Sequence, residues 1–192
     1  MLKQAPKSTV DAWIKQPSLD AIRLIPALLQ LQHTPRDPLL PNQAIRYLTH
    51  QIFELHNTTS TIHNLLITFH ASPSSKSVDY DERPLLRFLS TVPKDLITGK
   101  PYYDLDYALR VCKEAGRRGA CVQLYAEMGL WEEAVDLALE GGDADLEVAR
   151  GLADRAEEED LRLRKKLLLK IARFVVQDKK DIKSCVTITP FL

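Results

Sequence analysis

An all-α fold, an α-solenoid of stacked antiparallel helix pairs, is what this 192-residue sequence predicts. Between residues 103 and 176, short amphipathic segments follow one another. Glycine closes each of them, at Gly116, Gly129, Gly141 with Gly142, and Gly151. Helices of about three turns with Gly just past the end are what stacked helix pairs look like in one dimension. The segments are joined by only a few residues, which places neighbours antiparallel. No credible strand precedes residue 180. Val186-Thr-Ile-Thr has strand character, but four residues cannot form a sheet alone.

The elements follow in order. Ser8 or Thr9 can cap a short helix through Gln16, with Trp13 and Ile14 inward, and Pro17 ends it. Residues 18–32 read as helix in two pieces, with Pro26 at a break or in a first turn. Residues 33–41 hold three prolines and read as a connector. Asn42 caps a helix to about His56, whose Ile45, Leu48, Ile52 and Leu55 keep helical spacing. A turn at 57–60 leads into a helix over 61–71, with Ile62, Leu65, Leu66 and Phe69 on one face. Residues 72–83 are Ser, Pro, Lys and Asp with almost nothing apolar, the pattern of an exposed loop. Pro84 opens a short helix to Ser90 that buries Leu85, Leu86, Phe88 and Leu89, and residues 91–103 form a second connector. The stretch 72–103 is thus a connector-rich middle.

Asp104 is a good N-cap for a helix ending at Gly116 and burying Leu105, Ala108, Leu109 and Cys112. The next starts at Arg117 or Arg118, turns Ala120, Cys121, Leu124 and Tyr125 inward, and stops at Gly129. Residues 130–140 follow, with Trp131, Ala134, Val135 and Ala138 inward and Glu132 and Glu133 at the positive helix end. Asp143 caps a weaker helix to about Ala153. Residues 157–177 form the longest helix, with Leu167, Leu168, Ile171, Phe174 and Val175 as its apolar stripe. Its acidic start, Glu157-Glu-Glu-Asp, and the basic residues after it suit i,i+4 pairing.

Composition narrows the function. Apolar residues make up 45% and charged residues 27%, the balance of a folded globular chain. Lys plus Arg equals Asp plus Glu at 26 each, which argues against a dedicated nucleic-acid or anionic-membrane binder. No run of eighteen apolar residues exists to span a bilayer, and the N-terminus is too polar for a signal peptide. A chain that enters a helix almost at once reads as a piece of something longer. Cys112, Cys121 and Cys185 are odd in number and not closely paired, so they read as small apolar core residues in a reducing cytosol.

Catalytic and metal signatures are missing from the pattern. His56, His63 and His70 are seven apart, but the turn at 57–60 breaks their phase, and no His pair sits at i,i+4. All five histidines therefore read as ordinary surface and boundary residues. Cys112 and Cys121 lack both zinc spacing and a nearby His. The acidic run at 157–160 is no calcium loop, and the glycines form no nucleotide-binding loop. No cofactor is expected. The one charged candidate for a partner-binding face is the basic cluster Arg162, Arg164, Lys165 and Lys166. Alternation with the acidic run gives it an equally simple reading as a solvated face. Trp13, Trp131 and Tyr125 read as packing residues first and partner hot spots second.

Several blocks in colinear order carry a resemblance. Thr9-Val-Asp-Ala-Trp-Ile, Leu24-Ile-Pro-Ala-Leu, Gln43-Ala-Ile-Arg-Tyr-Leu and Ile62-His-Asn-Leu-Leu come first. Tyr103-Asp-Leu-Asp-Tyr-Ala-Leu-Arg-Val-Cys, Cys121-Val-Gln-Leu-Tyr, Trp131-Glu-Glu-Ala-Val-Asp-Leu-Ala-Leu and Lys170-Ile-Ala-Arg-Phe-Val-Val-Gln follow. In this order they resemble the vacuolar protein sorting-associated protein 18 (Deep orange) family over about residues 8–184. The resemblance implies a clathrin-heavy-chain-repeat α-solenoid segment over 1–184 and a poorly ordered or non-native tail over 185–192, where the family pattern would continue into further helices. It implies a noncatalytic scaffold within the HOPS and CORVET tethering complexes, which act in fusion at endosomes and the lysosome or vacuole. The implied partners are the other core subunits, and SNAREs through the complex. The implied location is cytoplasmic, peripheral on late endosome and vacuole or lysosome membranes. The family's β-propeller and RING zinc domain do not fall on these residues, so no zinc or ubiquitin-ligase chemistry carries over. The alternative is a direct SNARE- or lipid-binding module using Arg162, Arg164, Lys165 and Lys166. Unpaired apolar layers at the ends of a solenoid segment would favour self-association of the isolated piece.

Overall fold

The computed structural model describes residues 6–32, 41–72, 81–141, 143–156 and 161–179. Among them the chain is all-α, with a single antiparallel bridge between Lys94 and Pro101 in place of any strand. The expected strand at Val186, the tail over 185–192, the acidic run at 157–160 and most of the loop at 72–83 lie outside the described residues. The chain divides into two compact units, residues 1–117 and 118–192.

The first unit holds α1 (Pro6–Ile14), a 3-10 turn (Ala21–Leu24), α2 (Ile25–Gln32), α3 (Gln43–Phe53), α4 (Ser60–Ala71), α5 (Arg83–Thr91) and α6 (Leu105–Glu114). Their starts follow from cap chemistry. Asn42 Oδ1 accepts from the amides of Ala44 at 3.0 Å and Ile45 at 3.4 Å, and Asn42 Nδ2 donates to Gln32 Oε1 at 2.7 Å. One side chain thus starts α3 and ties it to α2. Asp104 Oδ1 accepts from the Tyr107 amide at 2.8 Å, while the Asp104 amide donates to Asn64 Oδ1 at 3.0 Å, tying α6 to α4. Asp20 caps the 3-10 turn through the Ile22 amide at 3.0 Å, and Pro26 sits in the first turn of α2, where its missing N–H costs nothing. At the N-terminus the helix begins at Pro6, ahead of the Ser8 or Thr9 cap read from sequence.

Helix α4 is the centre of this unit. It packs against α3, α5, α6 and the 3-10 turn, and α3 in turn holds α1 and α2. Contact on so many sides buries Ile62, His63, Leu66, Ile67 and Phe69 rather than one stripe. Leu65, expected inward, is only half-buried. Helix α3 stops at Phe53, short of His56, because the chain turns there: the carbonyls of His50 and Gln51 are taken up by the amides of Leu55 and Asn57 at 3.2 and 3.0 Å.

The second unit holds α7 (Arg118–Glu127), α8 (Trp131–Leu139), α9 (Asp143–Ala156) and α10 (Leu161–Lys179). Each helix packs on the next, and α10 also packs on α8. The core is rich in alanine, with Ala126, Ala134, Ala138, Ala149, Ala153 and Ala156 around Trp131, Leu167 and Ile171. Small side chains let helix axes approach closely, and a few large ones fill what remains. Gly116 and Gly129 end α6 and α7 as the sequence predicts. Both are left-handed, at φ 67° and 76°. In each case the following amide reaches back five residues, Arg117 to the Cys112 carbonyl at 2.8 Å and Leu130 to the Tyr125 carbonyl at 2.9 Å. Gly151 does not end a helix: α9 runs through it to Ala156. The buried stripe Ala149, Leu152, Ala153 and Ala156 continues past it, and a side chain there would meet nothing within 4 Å. Packing overrides the helix penalty of about 1 kcal/mol that glycine carries.

Candidate functional site

The basic cluster falls on the first half of α10, and the structure splits it. Arg164 is turned inward, its side chain only 17% exposed, with Nη2 3.3 Å from Asp154 Oδ1 on α9. Lys166 Nζ donates to Glu132 Oε1 on α8 at 2.6 Å, and one turn on Lys170 Nζ donates to Asp136 Oδ2 at 2.6 Å. Arg162 and Lys165 are exposed. Arg164 and Lys166 are thus each engaged by a carboxylate of a neighbouring helix. The described ion pairs of this cluster run between helices; the acidic run, with which i,i+4 pairing is expected, lies outside the described residues. Lys166 and its neighbour Arg162 are flanked by exposed Leu161 and Leu169.

The ladder also fixes direction. Both rungs join residues 34 apart in sequence, and both numbers rise together. Helices α8 and α10 therefore run parallel, one helix pair apart, with α9 returning between them. The Glu132 carboxyl is held below the usual carboxylate range, chiefly by its hydrogen bond from Lys166.

In the first unit an open hollow of about 580 Å³ has Phe53 and Phe88 as its apolar wall and Arg83, Arg87, Asp81 and His70 as its polar groups. The His70 ring stacks on Phe88, with centroids 6.1 Å apart, and burial pushes its pKa down to about 4. Asp81 is spent on Arg83, at 2.8 Å. The Thr91 hydroxyl donates to the Arg87 carbonyl at 2.8 Å. The hollow thus brings together a neutral imidazole and an ion pair, but no nucleophile held by a base.

His63 corrects the reading of the histidines as surface and boundary residues. It is fully buried on α4. Its Nε2 lies 2.8 Å from the Asn57 carbonyl, which can only accept, so Nε2 carries the proton. Nδ1 is left without a hydrogen-bond partner, and burial lowers the pKa, so the ring is neutral. This histidine clasps the turn between α3 and α4 to α4, with Tyr102 beside its ring at 5.7 Å. Cys112 and Cys121 are buried thiols, as packing residues should be. Among the described residues no group of His, Cys, Asp and Glu is placed to hold a metal ion, and no helix is long and apolar enough to cross a membrane.

The connector read over 91–103 proves to be built. The Asp95 carboxylate accepts from the Ile97 amide at 3.0 Å, the Thr98 amide at 2.7 Å and the Thr98 hydroxyl at 3.0 Å. The Asp95 amide donates to the Lys100 carbonyl, and the Gly99 amide donates to the Asp95 carbonyl, both at 2.8 Å. Buried Val92, Pro101 and Tyr103 fasten its base. At its tip Leu96 and Ile97 are 100% and 94% exposed. The Asp-x-x-Thr-Gly spacing of residues 95–99 was the sequence signal for a local turn; nothing in it tells that two large apolar side chains are held out.

Comparison with known proteins agrees with this architecture. Residues 1–176 match the family described as VPS18, alpha-solenoid domain, second half. The chain is 39% identical over 187 residues to the Vacuolar protein sorting-associated protein 18 homolog of Danio rerio, covering 97% of this chain and 18% of that protein. It is 37% identical over 177 residues to Vacuolar sorting protein 18 of Arabidopsis thaliana, covering 91% and 17%. It is 33% identical over 183 residues to the Vacuolar membrane protein pep3 of Schizosaccharomyces pombe, covering 95% and 19%. The chain spans about a fifth of the length of these relatives.

Proposed function

This chain belongs to the VPS18 family, in which it carries the second half of the alpha-solenoid domain, and we propose that it is a noncatalytic scaffold segment of a HOPS and CORVET membrane-tethering subunit. In this reading it acts in endosome-to-lysosome or vacuole trafficking and fusion, through protein–protein contacts. It sits peripherally on late endosome and vacuole membranes through its complex, with the other core subunits as direct partners. The observation that carries the reading is the stacking of α7 to α10, each helix on the next, with α8 and α10 parallel and joined by two ion pairs. Such stacking builds an extended surface by adding units and needs no pocket. In the hollow of the first unit, the Asp81 carboxylate is engaged by Arg83, which supports the same reading.

Size exclusion with light scattering, with the chain and each purified core subunit, tests it. A stoichiometric complex is expected with at least one subunit. Elution of the chain alone beside every subunit would reject the partner-binding reading.

A second reading rests on the exposed Arg162 and Lys165 beside Leu161 and Leu169, the arrangement of a small SNARE- or lipid-facing patch. Reversing Arg162 and Lys165 to Glu should then abolish binding to anionic vesicles or SNARE bundles with helicity unchanged. Arg164 and Lys166 do not belong in that test, because their substitution breaks contacts to Asp154 and Glu132. Unchanged binding would remove this reading.

A further inference from the structure

We propose that the loop over residues 94–101 is a docking knob, seating Leu96 and Ile97 in an apolar pocket edged by carboxylates on another folded protein subunit. The inference rests on the scaffold reading above and names the surface it would use. Two adjacent branched aliphatic side chains at 100% and 94% exposure contribute nothing to the fold that presents them. A lone exposed Leu is unremarkable on any protein surface, but a contiguous pair at a loop tip is a small apolar patch ringed by polar residues. The ring here is Lys94, Thr98 and Lys100, all exposed.

The rigidity of the loop identifies the kind of partner. Asp95 gathers three donors on one carboxylate oxygen, the backbone closes between Asp95 and Lys100, and buried Val92, Pro101 and Tyr103 anchor the base. The cost of ordering the backbone that presents the two side chains is therefore met before any encounter. Preorganisation strengthens binding to a partner of fixed complementary shape. A fluid bilayer has no fixed shape to reward it, and two aliphatic side chains without an aromatic anchor are a small insertion. The lysines on either side of the tip add charge complementarity to a pocket with acidic edges, which sets approach and register more than affinity. An apolar centre inside a polar ring is also the usual layout of an interface hot spot.

The double variant Leu96→Ser with Ile97→Ser tests this cleanly, because neither side chain is packed. Its circular dichroism and melting temperature should equal those of the parent. The Kd of the full chain for each purified tethering-core subunit is then measured for parent and variant, alongside flotation with vesicles containing phosphatidylserine. The expected result is parent binding to one subunit that weakens about 30-fold or more in the variant, with no vesicle binding by either. Lys94→Glu with Lys100→Glu should slow association with the same subunit and reduce its salt dependence. Equal subunit binding by parent and Ser variant overturns the knob and leaves the scaffold reading standing. Vesicle binding that the Ser variant loses, with subunit binding intact, assigns the loop to the membrane and also overturns the proposal. Failure of the parent to bind any subunit overturns both readings.

Discussion

His56 occupies the left-handed region at φ 51°, alone in this among the described non-glycine residues. It does so where α3 turns toward α4 and the last carbonyls of α3 are being capped. A side chain in that conformation costs about 1–2 kcal/mol, and glycine relieves most of it while adding chain entropy. His56→Gly should therefore stabilise the protein by about 1 kcal/mol, read as a rise of about 2–4 °C in melting temperature. No change or a fall would mean that the His56 side chain makes a compensating contribution. His70 gives a prediction of a different kind. Burial holds its folded pKa at about 4, while the unfolded residue titrates near 6.5. The unfolded state thus binds the proton first as pH falls. Stability from this residue is full above about pH 6.5 and is lost between 6.5 and 4, by up to about 3 kcal/mol. Asp81, held low by Arg83, stays ionised across most of that window, and His63 adds a loss of the same sign. Denaturant titrations from pH 7.5 to 4 should show a flatter loss for His70→Gln than for the parent. An identical slope would refute the assignment.

Helix starts offer a direct contrast. Asn42 caps α3 through its side chain and reaches Gln32, whereas Thr59 occupies the equivalent place before α4 with no side-chain cap hydrogen bond. Asn42→Ala should cost about 1–2 kcal/mol, and Thr59→Ala should stay within about 0.5 kcal/mol. Equal losses in chemical unfolding would show that the caps do not carry this difference. Asn42, Asp104, Pro26 and the two glycines ending α6 and α7 were legible in the sequence because each acts on residues within one turn of itself. Gly151 was misread for the complementary reason: whether a helix continues past a glycine depends on what its flanks bury. The wide burial of α4, including His63 and Ile67, was likewise beyond a periodicity argument, which assumes one narrow buried stripe. The pairs of Lys166 and Lys170 were invisible because their acidic partners lie 34 residues upstream, while local charge patterns point to neighbours at i,i+4.

The two units differ in how they fill their cores. Unit one buries Tyr47, Leu48, Ile52, Ile62, Leu66 and Leu85, while unit two sets alanines around Trp131, Leu167 and Ile171. The second should be less tolerant of added volume. Ala153→Leu is expected to cost about 1–3 kcal/mol by overpacking, and Leu167→Ala about 2–5 kcal/mol by leaving a cavity. Hydrogen exchange would then show the loss in amides of α8, α9 and α10. Protection unchanged there in both variants would contradict the packing described. The all-α class and the solenoid were readable from segment lengths and stops, because they repeat. The surface that matters for binding was not, since Leu96 and Ile97 look like any buried pair until their neighbours are known.

The parallel rungs from Glu132 to Lys166 and from Asp136 to Lys170 bear on how the gene for this segment can change length. One codon inserted in the first turn of α8 rotates every later residue of that helix by about 100°. It would misplace a charged rung and swing the alanine stripe out of the interior in the same event. A codon added to a connection leaves the helical phase of both flanking helices intact. Insertions and deletions that survive in populations should therefore collect between the helices, and substitutions that reverse sign at 132 or 136 should tend to travel with their reversals at 166 or 170.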